Sequence, residues 1–223
     1  LKRVILLFLA IIVSVACFSL SKPIALLQND SDYPNGGSPI ENALKKLGVD
    51  YVVYRTFLGE FPERGSYSAL IISGGNNMAA YFSNSGEPKK PTSLITDAEV
   101  PVLGICMGFQ LIGRIYGSSL VVLEERGWRK LKIMKDDILL TGIPEEFFAW
   151  ENHLFSLKDL PKGFELLVVN ETGSIQMIKH KKEYIYGVQF HPEKGDNENF
   201  NHGYMVLLNF LTLVEHLDNQ STD

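Results

Sequence analysis

The run Gly104-Ile105-Cys106-Met107-Gly108 sets a thiol between two glycines, each two residues away. Val102–Ile105 is apolar and reads as a strand, and Met107–Tyr116 carries a helical pattern, so the cysteine stands where one passes sharply into the other. A side chain at such a turn is thrust out of the sheet. The crowded backbone around it needs small neighbours, which Gly104 and Gly108 supply. The turn also puts the sulfur at a helix N-terminus, where the positive end of the dipole favours an anion. Nucleophilic catalysis is the chemistry this arrangement can do. The bland alternative is a buried cysteine packed as a small hydrophobe in a Gly-rich turn.

A partner for the sulfur stands far downstream. Tyr186-Gly187-Val188-Gln189-Phe190-His191-Pro192-Glu193 reads as a strand ending in a His-Pro-Glu corner. Alternate residues of an extended chain share a face, and Pro192 stiffens the link between them. Glu193 can therefore hydrogen-bond one ring nitrogen of His191 while the other points at Cys106, the orienter and base of a nucleophilic triad. Metal coordination is the competing use of His-x-Glu. The five histidines are scattered and none stands with a cysteine at ligand spacing, so no metal is expected. His153, His180, His202 and His216 read as surface or helix-end residues.

These segments resemble a known family. Gly-Ile-Cys-Met-Gly-Phe-Gln at 104–110 and Gly-Val-Gln-Phe-His-Pro-Glu at 187–193 are similar to the two signature motifs of class I, triad-type glutamine amidotransferases. The similarity extends from Pro23 to Val214. It implies a Cys-His-Glu triad of Cys106, His191 and Glu193 that hydrolyses the side-chain amide of glutamine through a cysteine thioester, without a cofactor. Ala69–Gly75 resembles the family's oxyanion loop. There a glycine lets a backbone N–H turn toward the reacting carbonyl, Gly75 giving one donor and Met107 the second. Asn76-Asn77 replace the usual Pro-Gly; asparagine tolerates left-handed backbone, so the loop can still form with a shape of its own. Glu151–Phe155 resembles a substrate-binding Asn-His-x-Phe loop of some members. By that resemblance Gln110 and the backbone of Asn152, Leu154 and Phe155 would hold the α-amino and α-carboxylate groups of glutamine; Phe155 as a core residue is the alternative.

The ammonia acceptor is less legible. Gly142–Trp150 and Leu160–Phe164 resemble the glutaminase part of GMP synthase, although Leu154-Phe155 stand where that class has an aspartate after its Ser-His pair. There is no phosphate-cradling Gly-rich loop and no synthase domain in the chain, so an amidotransferase would need a separate synthase subunit to accept the ammonia. The second reading is a γ-glutamyl hydrolase-like peptidase: His191–Lys194 continue His-Pro-Glu-Lys as in that related family, whereas Gln110 departs from its Gly-Phe-Glu. A non-catalytic binding domain on the same fold is the third.

The elements that must position these groups alternate between strand and helix. Pro23–Gln28 reads as a strand, and Ser38-Pro39 opens a helix closed by Gly48. Tyr51–Tyr54 and Ala69–Ser73 are further strands. Asn76–Thr92 is a surface excursion beside the site, of the kind that forms lids. Ser93–Glu99 reads as a short helix. Leu120–Val122, Leu131–Met134, Phe164–Val169, Ile175–Lys179 and Tyr184–Gln189 read as shorter strands, several of them antiparallel, and Tyr204–Leu217 as a closing helix. The expected fold is α/β: three layers, an open, mainly parallel, flavodoxin-like sheet with helices on both faces and short antiparallel strands. Its active site belongs at the carboxyl ends of the strands.

With 223 residues, 45% hydrophobic and 21% charged, the chain can bury one sizeable core. A net charge of −5 argues against a nucleic-acid surface, and Lys179-His180-Lys181-Lys182 reads as a solvated hairpin turn. Lys2-Arg3 precede an apolar run from Val4 to Phe18 broken only by Ser14. A charged start, an apolar stretch and a small-residue site at Ser14-Val15-Ala16 read as a secretory signal. The run falls short of the ~20 residues a membrane span needs; an uncleaved anchor is the second reading and a mis-assigned start or buried segment the third, while a lipid-modified Cys17 fits poorly with Ser14 three residues before it. The organisation expected is 1–22 signal or anchor, 23–217 glutaminase domain and 218–223 tail. The protein is thus exported or membrane-anchored, the membrane entering only through the N-terminal segment, or cytoplasmic if that segment is not a working signal.

Overall fold

A computed structural model describes residues 18–194 and 202–221. Most of the apolar leader lies in 1–17, so the signal, anchor and lipidation readings fall outside the described residues. Residues 18–22, grouped with that leader by their sequence, pack on the domain: Phe18 and Leu20 rest against its core, and the Ser19 amide donates to Glu215. No described helix is long and apolar enough to cross a membrane.

The sheet is built from β1 (Ile24–Asn29), β2 (Tyr51–Arg55), β3 (Ala69–Gly75), β4 (Val102–Ile105), β5 (Leu120–Ile133), β6 (Glu146–Leu157), β7 (Phe164–Asn170), β8 (Ile175–His180) and β9 (Ile185–Val188), in the spatial order β2-β1-β3-β4-β9-β8-β7-β5-β6. From β2 to β9 the strands are parallel; β8, β7, β5 and β6 extend the sheet antiparallel. The helices are α1 (Pro39–Lys46), α2 (Ser93–Thr96), α3 (Met107–Ile115) and α4 (His202–Ser221). Helix α1 begins as its residues dictate. Ser38 and Glu41 close a reciprocal capping box, Pro39 fills the first turn, and Gly48 leaves with φ +68°.

The two faces of the parallel strands separate by the period of two. Ile24, Leu26, Ile71, Leu103 and Ile105 pack against α1 and α4, whereas Ala25, Leu27, Leu70, Ile72 and Val102 pack against α2 and α3. This is the expected three-layer α/β arrangement. Burying each such aliphatic side chain contributes about 1.5–3 kcal/mol.

Four expectations change. The separate short strands 120–122 and 131–134 are the ends of one strand, β5, irregular between Val122 and Glu125, and its partner β6 occupies 146–157. The supposed loop at Glu151–Phe155 is therefore strand. The excursion 76–92, expected at the surface as a lid-forming segment, is anchored inward: Tyr81 is fully buried, and its hydroxyl donates to Asn29 Oδ1 at 2.9 Å. The last helix starts before Tyr204 and runs through residues 218–221 of the expected tail.

Candidate active site

Cys106 sits between β4 and α3 with φ +51° and ψ −104°, the one non-glycine residue with positive φ among those described. An L side chain in that region is strained, and such strain gathers at functional sites. The turn is held by packing that only glycine allows. A Cβ on Gly104 would meet the Gly108 carbonyl at 2.6 Å, and one on Gly108 would meet the Ile72 oxygen at 2.3 Å. The backbone N–H of Cys106 donates to Val188 O at 2.8 Å.

That last bond links the nucleophile candidate to its partner. Strands β4 and β9 run parallel with Ile105 opposite Val188, so their carboxyl ends deliver Cys106 and the segment Gln189-Phe190-His191 to one place. His191 then leaves the sheet with its N–H donating to Trp150 O at 2.8 Å. Its Nδ1 lies 2.7 Å from Glu193 Oε1, and both side chains are largely buried. A Cβ placed on Gly74 would lie 3.1 Å from His191 Cε1 and 3.5 Å from the Cys106 Cβ, so that glycine is the floor over which ring and thiol meet. Burial alone, the largest influence, would lower the His191 pKa. The charges and hydrogen bonds of Glu193 and Cys106 outweigh it and hold the imidazole well above its ordinary value.

A cavity of about 310 Å³ opens over these groups, lined among others by Asp30, Gly75, Asn76, Cys106, Asn152 and His191. Gly75 enters it with φ +140° and has no room for a side chain, since a Cβ would lie 2.5 Å from the Asn29 backbone. Met107 is the first residue of α3, where a backbone N–H has no carbonyl one turn back to bond. The Asn76-Asn77 turn closes without left-handed asparagine. Asn76 N–H donates to Asn29 O, and Asn77 Nδ2 to Thr56 Oγ1.

The family model of class-I glutamine amidotransferases matches residues 37–210, a stretch that contains both Cys106 and His191. The chain belongs to the class-I glutamine amidotransferase family. One subunit of the glutamine-hydrolysing GMP synthase of Methanococcus maripaludis is 34% identical over 191 residues, covering 84% of this chain and 94% of that protein. The subunit of the same name from Pyrococcus abyssi is 33% identical, covering 82% and 97%. A crystal structure of a candidate GMP synthase subunit from Thermoplasma acidophilum superposes with a TM-score of 0.73 at 25% identity, covering 92% of this chain and 99% of that one.

The four residues expected to hold substrate divide in this amidotransferase. Asn152 lines the cavity. Gln110 is buried, and its Nε2 donates to Phe155 O at 2.6 Å and to Gln189 Oε1 at 3.3 Å, so its amide fastens α3 to β6. Leu154 and Phe155 are half exposed and are not among the cavity-lining residues. The sulfur of Cys106 faces Asn152 O at 3.9 Å. Three carbonyls of β6, those of Trp150, Asn152 and Phe155, thus carry His191, Cys106 and Gln110.

His153 departs most from expectation. It is not a surface residue but buried on β6, with Nε2 3.0 Å from Glu151 Oε2 and 3.3 Å from Glu125 Oε2. Glu125 faces His153 across the β5–β6 ladder, so the pairing is invisible in linear spacing. Glu125 also accepts from Asn170 Nδ2, Ser174 Oγ and Gln176 Nε2.

Proposed function

We propose that this amidotransferase hydrolyses glutamine to glutamate and ammonia with Cys106 as nucleophile, His191 as base and acid, and Glu193 as the group that orients the ring. The 2.7 Å contact between His191 Nδ1 and Glu193 Oε1, beside a cysteine held at positive φ, carries this reading. His191 takes the Cys106 proton as the sulfur attacks the side-chain amide carbon. The oxyanion is met by the backbone N–H groups of Gly75 and Met107, and collapse breaks the C–N bond as His191 returns the proton to the departing ammonia. Water, deprotonated by His191, then adds to the γ-glutamyl thioester; glutamate leaves and the thiol regains its proton.

Asn152 is the substrate contact from the cavity wall in this reading, while Gln110, Leu154 and Phe155 act through the position of β6. The ammonia is proposed to pass to a separate synthase subunit, since the relatives carry the name of one subunit of GMP synthase. The apolar run 4–18 is proposed to direct export or anchoring, and fractionation of the full chain separates this from a cytoplasmic enzyme.

Purified protein supplied in parallel with glutamine and γ-glutamyl peptides tests the reading. Ammonia and glutamate in equal amounts from glutamine are expected, with Cys106→Ser binding glutamine but not turning it over. Peptide cleavage without glutaminase activity, or full activity of Cys106→Ser, contradicts it.

A further inference from the structure

Glu151 is fully buried, and apart from the His153 imidazole, whose Nε2 lies 3.0 Å from Oε2, neither of its carboxylate oxygens has a hydrogen-bond donor among the described residues. Burying a carboxylate this way is costly, and an unsatisfied group of this kind in a native interior calls for a cause. Glu125 shows the contrast: it receives donors from Asn170, Ser174 and Gln176, which tie it to β7, β8 and the turn between them. One carboxylate is anchored and the other is held between an imidazole and the active site.

The position of Glu151 supplies the cause. It stands between Trp150, whose carbonyl takes the His191 amide, and Asn152, whose carbonyl faces the Cys106 sulfur. Successive strand residues point to opposite faces. Asn152 thus reaches the cavity, while Glu151 and His153 turn inward to Glu125. Burial, the largest influence, raises the Glu151 pKa, and the neighbouring His153 and His191 rings act against it. We infer that Glu125, His153 and Glu151 form a buried clamp behind the site, in which Glu151 and His153 are positioning residues. They fix the Trp150–Asn152 carbonyls on which base and nucleophile hang, and Glu151, when ionised, adds negative charge on the His191 side of the strand. The inference rests on the proposed roles of Cys106 and His191. The titratable groups facing the clamp are Glu125 from β5, Glu151 and His153 from β6, and His191 beyond β9, itself faced by Glu193 and Cys106.

Glutaminase kinetics of Glu151→Gln across pH test it, because the amide keeps the shape and removes the charge. The expected result is a kcat about tenfold lower, as small misplacements of reacting groups produce, with KM within about twofold and the alkaline limb moved to lower pH. Wild-type kcat and an unmoved limb overturn the inference. Should wild-type protein hydrolyse no glutamine, the functional reading fails separately, and the pH profile of Cys106 alkylation by iodoacetamide carries the same comparison. Nitrogen-15 NMR of the His153 ring in the wild-type chain needs no variant to fold: a proton on Nε2 protected from exchange is expected. An unprotonated Nε2, or one equivalent of tightly bound divalent metal per chain by elemental analysis, overturns the clamp.

Discussion

Gly104 and Gly108 touch backbone to backbone: a Cβ on the first would lie 2.6 Å from the carbonyl of the second. The strand that ends at Cys106 and the helix that starts after it are thereby pressed together, and Gly108 is in turn pressed on Ile72 of β3. None of these contacts is a side chain that can swing aside. Gly108→Ala is expected to push α3 away from the sheet, at about 1–3 kcal/mol of stability or more, with loss of most turnover. Urea denaturation and steady-state assays measure both. A variant of native stability and activity would show that the elbow has room for a methyl.

The raised pKa of His191 links activity and stability to pH with a definite sign. Glu193 contributes to holding the proton on the ring, so Glu193→Gln is expected to lower the His191 pKa and move the alkaline limb of kcat to lower pH. A group whose folded pKa is raised contributes stability that is complete below its unfolded value, about 6.5 for histidine. That contribution is lost as pH rises through the folded value. Melting curves should therefore show Glu193→Gln least stable relative to wild type below about pH 6.5, with the gap closing in alkaline solution. A gap that widens with pH contradicts the assignment.

A buried phenol is one of the ties that hold the excursion 76–92 to the sheet. Tyr81 and Thr56 hydroxyls both donate to Asn29 Oδ1, at 2.9 and 2.8 Å, and Asn77 bonds Thr56. Tyr81→Phe removes one of these bonds while keeping the ring, at an expected cost of about 1 kcal/mol. Because this segment opens at Asn76, directly after Gly75, and both line the cavity, KM for glutamine is expected to rise as well. Denaturation midpoints with unchanged slope, and an unchanged KM, would separate a purely structural role from this one.

Gln110 spends its amide on the Phe155 carbonyl rather than standing in the cavity wall. Gln110→Ala leaves that carbonyl without the bond and frees one end of β6 beside Asn152. Glutamine KM is expected to rise several-fold while Cys106 alkylation stays near the wild-type rate. Wild-type affinity for glutamine would show that the bond does not position the substrate contact.

Much of this was legible because the parallel half of the sheet is apolar on both faces. Runs such as Ile24–Leu27 and Ala69–Ile72 announce buried strands, and Gly104 and Gly108 announce the elbow. The antiparallel half was not. Strand β5 buries only Glu125 and Leu131, so no apolar alternation marks it. On β6 the buried positions Phe147, Ala149, Glu151 and His153 keep the period of two, but two of them are polar, and a hydrophobic pattern ends where the strand does not. The burial of His153 is hidden from the sequence because its partner Glu125 lies across a ladder, at no readable spacing. The Gln110 bond is likewise a contact between α3 and β6 that only the fold creates.

Acid-quenched mass spectrometry of the wild-type protein mixed with glutamine tests the central claim most directly. A glutamyl adduct that maps to Cys106, forms before glutamate is released and is absent from Cys106→Ser is expected. Release of glutamate and ammonia at the wild-type rate by Cys106→Ser, with no adduct on any residue, would contradict it.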